Sequence, residues 1–170
     1  MLANDIIITR GSQDMMTWFD KQQTALSNQA FTAAGLAIGS VSAATLKIVN
    51  TVTFTSSSVL KTKATAAVPF TATTHDIAAS TSSVQEAIYL VTLSSAGTPT
   101  VTKGTTASGA GTAKFPDVPA GGTPIGFARI AVAAGSTSFV ATSDLLSAGH
   151  LTVTYSDILG SLLARFDSAI

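Results

Sequence analysis

Two histidines, nine acids and an abundance of serines are the groups in this 170-residue chain that could do chemistry. A Ser-His-Asp relay needs a serine on a sharp turn, a histidine within hydrogen-bond reach and an acid behind it. His75 precedes Asp76, and His150 lies far along the chain. No Gly-x-Ser-x-Gly elbow offers a nucleophile to either. With serine this common, a Ser, a His and an Asp somewhere in one chain specify little. Both histidines are therefore read as surface or loop residues. The acids are eight Asp and a single Glu. Glycoside hydrolysis needs two of them across a cleft. Here Asp14, Asp76, Asp117, Asp144 and Asp157 fall at turn or cap positions, where the side chain bonds neighbouring backbone.

Metal and phosphate chemistry fare no better. There is no cysteine, so a thiol nucleophile, a disulfide framework and a thiolate metal site are excluded. Two distant histidines do not make a zinc site, and no spacing resembles a calcium-binding loop. The glycine-rich run Gly104 to Gly111 lacks the Gly-Lys-Ser/Thr ending of a phosphate cradle. The reading assigns no catalytic residue, no metal ligand and no cofactor, and the chain is not expected to be an enzyme.

The elements that would position a site read as mostly β. Residues 1–11 form an extended arm around Ile6, Ile7 and Ile8. From Asp14 to about Ala30, Met15, Met16, Phe19, Leu26 and Ala30 recur at helical spacing, which predicts a helix. Trp18 and Phe19 diverge by about 100° on it, so one of them can face a partner. From Thr45 to Phe54 the period is two, with Leu46, Ile48, Val52 and Phe54 on one face. Further strands are expected at Val59 to Ala66, Ala87 to Ser94, Thr98 to Lys103, Pro124 to Val132, Thr137 to Thr142 and Leu151 to Tyr155. Ser94 to Thr98 reads as a hairpin loop, and Gly126 within a strand as a bulge or close backbone approach. The long Gly/Ala-rich loop from Gly104 to Gly122 reads as a surface excursion or a contact arm. Helical spacing returns from Asp157 with Ile158, Leu159, Leu162, Leu163 and Phe166.

These pieces predict a mainly β fold, an antiparallel β-sandwich or barrel-like domain. It carries an N-terminal arm and helix (residues 1–44), a β-rich body (45–156) and a short C-terminal amphipathic segment (157–170). Ile6, Ile7, Ile8, Trp18, Phe19, Leu162 and Phe166 are the candidate interface residues.

Composition narrows the function. Ala, Ser, Thr and Gly make up about half of the chain, and charged residues only 11%, against roughly 25% in an ordinary soluble domain. The formal net charge is zero, which favours association and disfavours nucleic acid, whose phosphates demand clustered Lys and Arg. The most apolar stretch, Ala33 to Ala44, is too short to span a bilayer, which takes about 20 residues. Met1 to Asp5 lacks the basic start of a secretion leader. A chain that hides its surface in an assembly is what remains.

One pattern is more specific. Ala87 to Leu93, Gly97, Thr100-Val-Thr-Lys-Gly104, Pro116-Asp-Val-Pro-Ala-Gly121, Thr123-Pro-Ile-Gly126, Ala128 to Val132 and Leu151 to Tyr155 follow one another. This succession resembles a β-rich module of tailed-bacteriophage structural proteins, over roughly residues 84–156. The resemblance implies a virion protein made in the host cytoplasm. Its leading form is a capsid decoration (cement) protein on the head surface, a homotrimer contacting the major capsid protein or other virion proteins. The alternative is a head-fibre or tail-attached module binding a host glycan, with residues 104–122 as its tip. In the first reading, residues 1–31 make the subunit or capsid contacts.

Overall fold

The computed structural model describes residues 27–39, 43–70 and 73–159. The interface candidates Ile6, Ile7, Ile8, Trp18, Phe19, Leu162 and Phe166 lie outside the described residues, as do most of the expected N-terminal helix and C-terminal segment.

Within them the fold is mainly β. The strands are β1 (Ala37–Ile38), β2 (Thr45–Ile48), β3 (Val52–Ser56), β4 (Val59–Lys63), β5 (Ala66–Pro69), β6 (Gln85–Leu93), β7 (Pro99–Lys103), β8 (Ala107–Ser108), β9 (Thr123–Val132) and β10 (Leu151–Asp157). A 3-10 turn lies at Thr73–His75. All the strand pairs are antiparallel. One sheet runs β1-β2-β5, another pairs β3 with β4, and the largest runs β10-β9-β6-β7, with β8 beside the start of β6. The largest sheet is open, with β10 and β7 at its ends, so the barrel alternative does not hold.

The period-two reading of Thr45 to Phe54 identified the right inward residues but not the break. Leu46, Ile48, Val52 and Phe54 are all fully buried. The chain nevertheless splits there into β2 and β3, which join different sheets. The amides of Val49 and Asn50 both donate to the Ala34 carbonyl at 3.0 Å, bending the chain between them. Alternation reports which side chains face inward, not whether the backbone continues straight. The expected strand Thr137 to Thr142 is likewise reduced to one bridge, Ile77 with Phe139.

The helix expected to reach Ala30 does not do so. Gln29 and Ala30 are extended beside β3, with Ala30 bridged to Phe54 and the Thr55 amide donating to the Gln29 carbonyl at 2.8 Å. Ala30, Ala34 and Leu36 are buried in the core. The described part of the expected 1–44 segment is thus built into the β-rich body. At the other end, Asp157 completes β10 and Ile158 is buried against Leu90. Helical propensity at both junctions yields to burial and strand pairing, because tertiary packing supplies most helix stability and can withhold it.

β6 organises the core. Ala87, Tyr89, Val91 and Leu93 point into the main cluster with Leu46, Phe54, Phe70 and Ile130. Leu90 points the other way, into a second cluster with Ile158, Phe115, Val118 and Phe127. The long loop supplies two of those residues. Residues 104–122 therefore cover the second face of the sheet, neither a free excursion nor a free arm. The Phe115 ring stands edge-on to Phe127 at 4.8 Å, and the Gly104 amide donates to the Ile88 carbonyl at 2.7 Å.

Gly126 meets both expectations placed on it. Val91 pairs with Gly126 but Thr92 with Pro124, so Ile125 is bulged out of the ladder. A Cβ at Gly126 would lie 2.5 Å from Leu36 Cδ1 and 2.8 Å from the Ser156 carbonyl oxygen.

Candidate functional site

The residues with chemical capacity gather first around the 3-10 turn. The His75 carbonyl accepts from the Tyr89 hydroxyl, and the Asp76 carbonyl accepts from the Lys103 ammonium. Asp76 Oδ1 accepts from the Ala141 amide at 2.7 Å. The His75 ring stands edge-on to Phe70 at 5.6 Å and to Tyr89 at 6.1 Å. Burial pushes the His75 imidazole below its ordinary value. A Val101 backbone hydrogen bond and Asp76 oppose this, while Lys103 adds to it. Burial also pushes the Tyr89 phenol up, with Asp76 adding to it, and lowers Lys103 against the pull of Asp76.

This is a clasp rather than a relay. The Lys103, Tyr89 and Asp76 side chains are all engaged with main-chain groups, tying β6 and β7 to the segments around Asp76 and Ala141. Among the described residues, His75 Nδ1 is buried without a hydrogen-bond partner, so no serine hydroxyl bonds it. The sequence reading of His75 as a surface or loop residue is half right: it sits in a turn, but packed on aromatic rings. Asp76 and Asp157 also differ from the local-turn reading. Asp157 Oδ1 accepts from the Gly35 amide at 3.0 Å, far away in the chain. Asp144 does act locally, accepting from the Val140 amide at 2.7 Å.

His150 Nε2 lies 4.0 Å from Asp144 Oδ2. Glu86 is buried on β6, where its carboxylate accepts from the Gly111 amide at 3.2 Å and stands 3.6 Å from Arg129 Nη1. A phosphate at this loop would have to displace a carboxylate of the same chain, so the loop is not a phosphate cradle. Among the described residues no group of three or more His, Asp or Glu could hold a metal ion.

A hollow of about 330 Å³ opens between the β3–β4 turn and the 119–122 bend, lined by Ser57, Thr92, Ser94, Thr100, Pro119 and Gly121. Ser57 and Ser58 both have positive φ, 51° and 64°, as a two-residue hairpin turn requires. The Gly122 amide closes the bend onto the Pro119 carbonyl at 2.8 Å, as the Pro and Gly residues predict. The Thr92 and Thr100 hydroxyls are 2.9 Å apart. The lining is hydroxyl-rich and without a charged group.

Exposed apolar side chains lie on the neighbouring sheet. Phe31 is 48% exposed, Val59 55% and Leu60 65%. Leu60 pairs with Thr55, and the Phe31 amide donates to the Thr53 carbonyl, so Phe31 and Leu60 share the outward face with those threonines. The Ser27 carbonyl accepts from the Ser58 amide at 3.1 Å, which places Ser27 beside this hairpin. Sequence reasoning missed this patch. The signal available was the adjacent pair Val59-Leu60, which cannot both point inward from one strand. No protein-family model, curated protein or solved structure matches the chain.

Proposed function

We propose that this chain is a structural protein of a tailed-phage particle, a non-enzymatic decoration protein on the capsid surface. In this reading an antiparallel, sandwich-like body oligomerises as a homotrimer and binds the major capsid protein or other virion proteins. The observation that carries it is the outward patch of Phe31 and Leu60 on a chain with only 11% charged residues. Exposed apolar groups on so weakly charged a surface suit permanent contact with neighbours. A protein that binds only the assembled shell stabilises it by linkage, as any ligand of one state does.

Immunoelectron microscopy of intact particles tests the assignment. Label spread over the head is the expected outcome; particles that carry no label would remove the virion reading. The contact segment is tested by deleting residues 1–26, leaving the bridge of Ala30 to Phe54 intact, and measuring particle binding. Unchanged binding would move the contact from the arm to the Phe31–Leu60 face.

A second reading draws on the hydroxyl-lined hollow: a head-fibre or tail-attached module that binds a host glycan there. Phe115, the aromatic that the 104–122 loop offers, packs on Phe127 and gives no platform for a sugar ring. A glycan array with the folded protein decides it, and binding lost in Thr100→Val would put the sugar in the hollow.

A further inference from the structure

The edge strands of the described sheets differ in how they resist pairing with another chain. Proteins blunt an edge with Lys, Pro, bulges, very short strands or a covering segment. β4 carries Lys61 and Lys63, and β5 ends in Pro69. β7 begins at Pro99 and ends in Lys103, which is bonded to Asp76. β1 and β8 are two residues each. β10 has none of these devices. Its sequence, Leu-Thr-Val-Thr-Tyr-Ser-Asp, contains no Lys, Arg or Pro, and it pairs with β9 along its whole length without a bulge.

The hydrogen-bond phase of β10 follows from its two ends. The His150 carbonyl accepts from Ala133, and the Ile158 amide donates to Ile125, both at 3.1 Å. Alternate residues of an antiparallel ladder face the partner. The even-numbered residues therefore bond β9, and Leu151, Val153, Tyr155 and Asp157 turn their main-chain groups outward. The Leu151 amide is taken by the Ala148 carbonyl at 2.9 Å. The outward main-chain groups of Val153 and Tyr155 have no partner among the described residues. The side chains of Val153 and Tyr155 pack on the core, whereas Thr152, Thr154 and Ser156 are exposed.

The geometry points to a second copy of this chain as the occupant of that edge: β10 pairs antiparallel with β10 of the second copy, about a two-fold axis at Thr154. This is the register that pairs the whole strand with itself. Val153 exchanges both main-chain bonds with Tyr155 of the second copy, and the Asp157 amide reaches the Leu151 carbonyl. Thr154 stands against Thr154 and Thr152 against Ser156, placing hydroxyls opposite hydroxyls. The strand's one charge, Asp157, meets Leu151 rather than another carboxylate. Such self-complementarity is what an isologous contact requires. One strand pair buries far less than the roughly 1,600 Å² of a standard interface. The contact is therefore weak alone and gains strength where many copies are held together. It does not depend on the virion reading and is compatible with a three-fold contact through another surface.

Because the chain has no cysteine, single cysteines in the full chain test the register. The Thr154 pair is a non-hydrogen-bonded one, with Cα atoms about 4.5 Å apart, within disulfide range. In the same register the two Thr152 residues are about 13 Å apart, four residues at the strand rise. T154C is expected to form a disulfide dimer under mild oxidation, while T152C stays monomeric and T152C mixed with S156C forms the heterodimer. Absence of the T154C dimer, or equal crosslinking of T152C alone, would overturn the pairing. T154K, which sets like charges opposite each other, is expected to weaken self-association about fivefold in sedimentation. Mixing it with T154D is expected to restore association. T154K association equal to that of the parent chain would also sink the proposal.

Discussion

β6 and β10 flank the same strand, β9, yet they are built to opposite rules. β6 is buried from Glu86 to Leu93, with one face in the main core and the other beneath the 104–122 loop. β10 alternates half-buried and exposed residues, covers only one face and, among the described residues, leaves a main-chain edge unpaired. A central strand covered twice can be a near-continuous apolar run, whereas a strand covered once must alternate. The two sequences already differ in this way: Ala-Ile-Tyr-Leu-Val against Leu-Thr-Val-Thr-Tyr. The difference assigns stability to β6 and leaves β10 available for contact.

The sharpest way to break the comparison is to empty the second face of β6. Leu90→Ala is expected to cost about 3 kcal/mol by urea denaturation, as truncation of a well-packed core leucine does. If the cost is under about 1 kcal/mol, a value usual for surface sites, the loop does not cover that face. Gly126→Ala tests the seam between the two strands. The added methyl meets Leu36 and the Ser156 carbonyl, so a loss of about 2 kcal/mol is expected from overpacking.

The two tyrosines compare the strands directly, because Tyr89 lies on β6 and Tyr155 on β10 and the chain has no others. Burial pushes Tyr155 up to about 12 and Tyr89 further still, with Asp76 adding to the latter shift. Both folded values are raised. Their contribution to stability is therefore full below the ordinary phenol value of about 10, and is lost as pH rises through the folded value. Followed by tyrosinate absorbance, Tyr155 is expected to ionise first, and Tyr89 only as the chain unfolds. The reverse order, read from Tyr155→Phe, would contradict the burial assigned to β6.

His75 gives the complementary acid limb. Its folded value is lowered by burial, so the folded chain binds fewer protons than the unfolded one. Stability is then expected to be full above about pH 6.5, the ordinary imidazole value, and to decline below it. His75→Gln should flatten that decline in thermal melts across the acid range. The smallest effect belongs to the outer face of β10: Thr152→Ala is expected to change stability by less than about 0.5 kcal/mol, measured in the same urea series.

Much of this fold was legible in residue order. The strands β6, β7, β9 and β10 follow their apolar runs to within a few residues. The Ser94–Thr98 hairpin and the Pro119–Gly122 bend form where turn residues cluster. The bulge beside Gly126 was legible because a glycine in a strand signals close approach. The role of Asp76 was not legible, since its partner Ala141 is remote in the chain and no spacing rule reaches that far. Nor was the packing of Phe115, which a Gly/Ala-rich loop conceals. The split of β2 from β3 escaped because both halves obey one alternation. The outward patch was not legible because a single alternating strand does not show whether its outer face, with Leu60, is covered by another element.

The sequence by itself determined the inward faces and the turns, because period, β-branching and the Gly and Pro positions act over a few residues. It also determined the weakly charged, cysteine-free surface. Only the tertiary structure decided which strands share a sheet, that the long loop closes the second face of β6, and that His75, Asp76 and Lys103 serve a clasp. Those outcomes depend on contacts between residues distant in the chain, where local preference is silent and burial of the shared core selects among the arrangements that local preference allows.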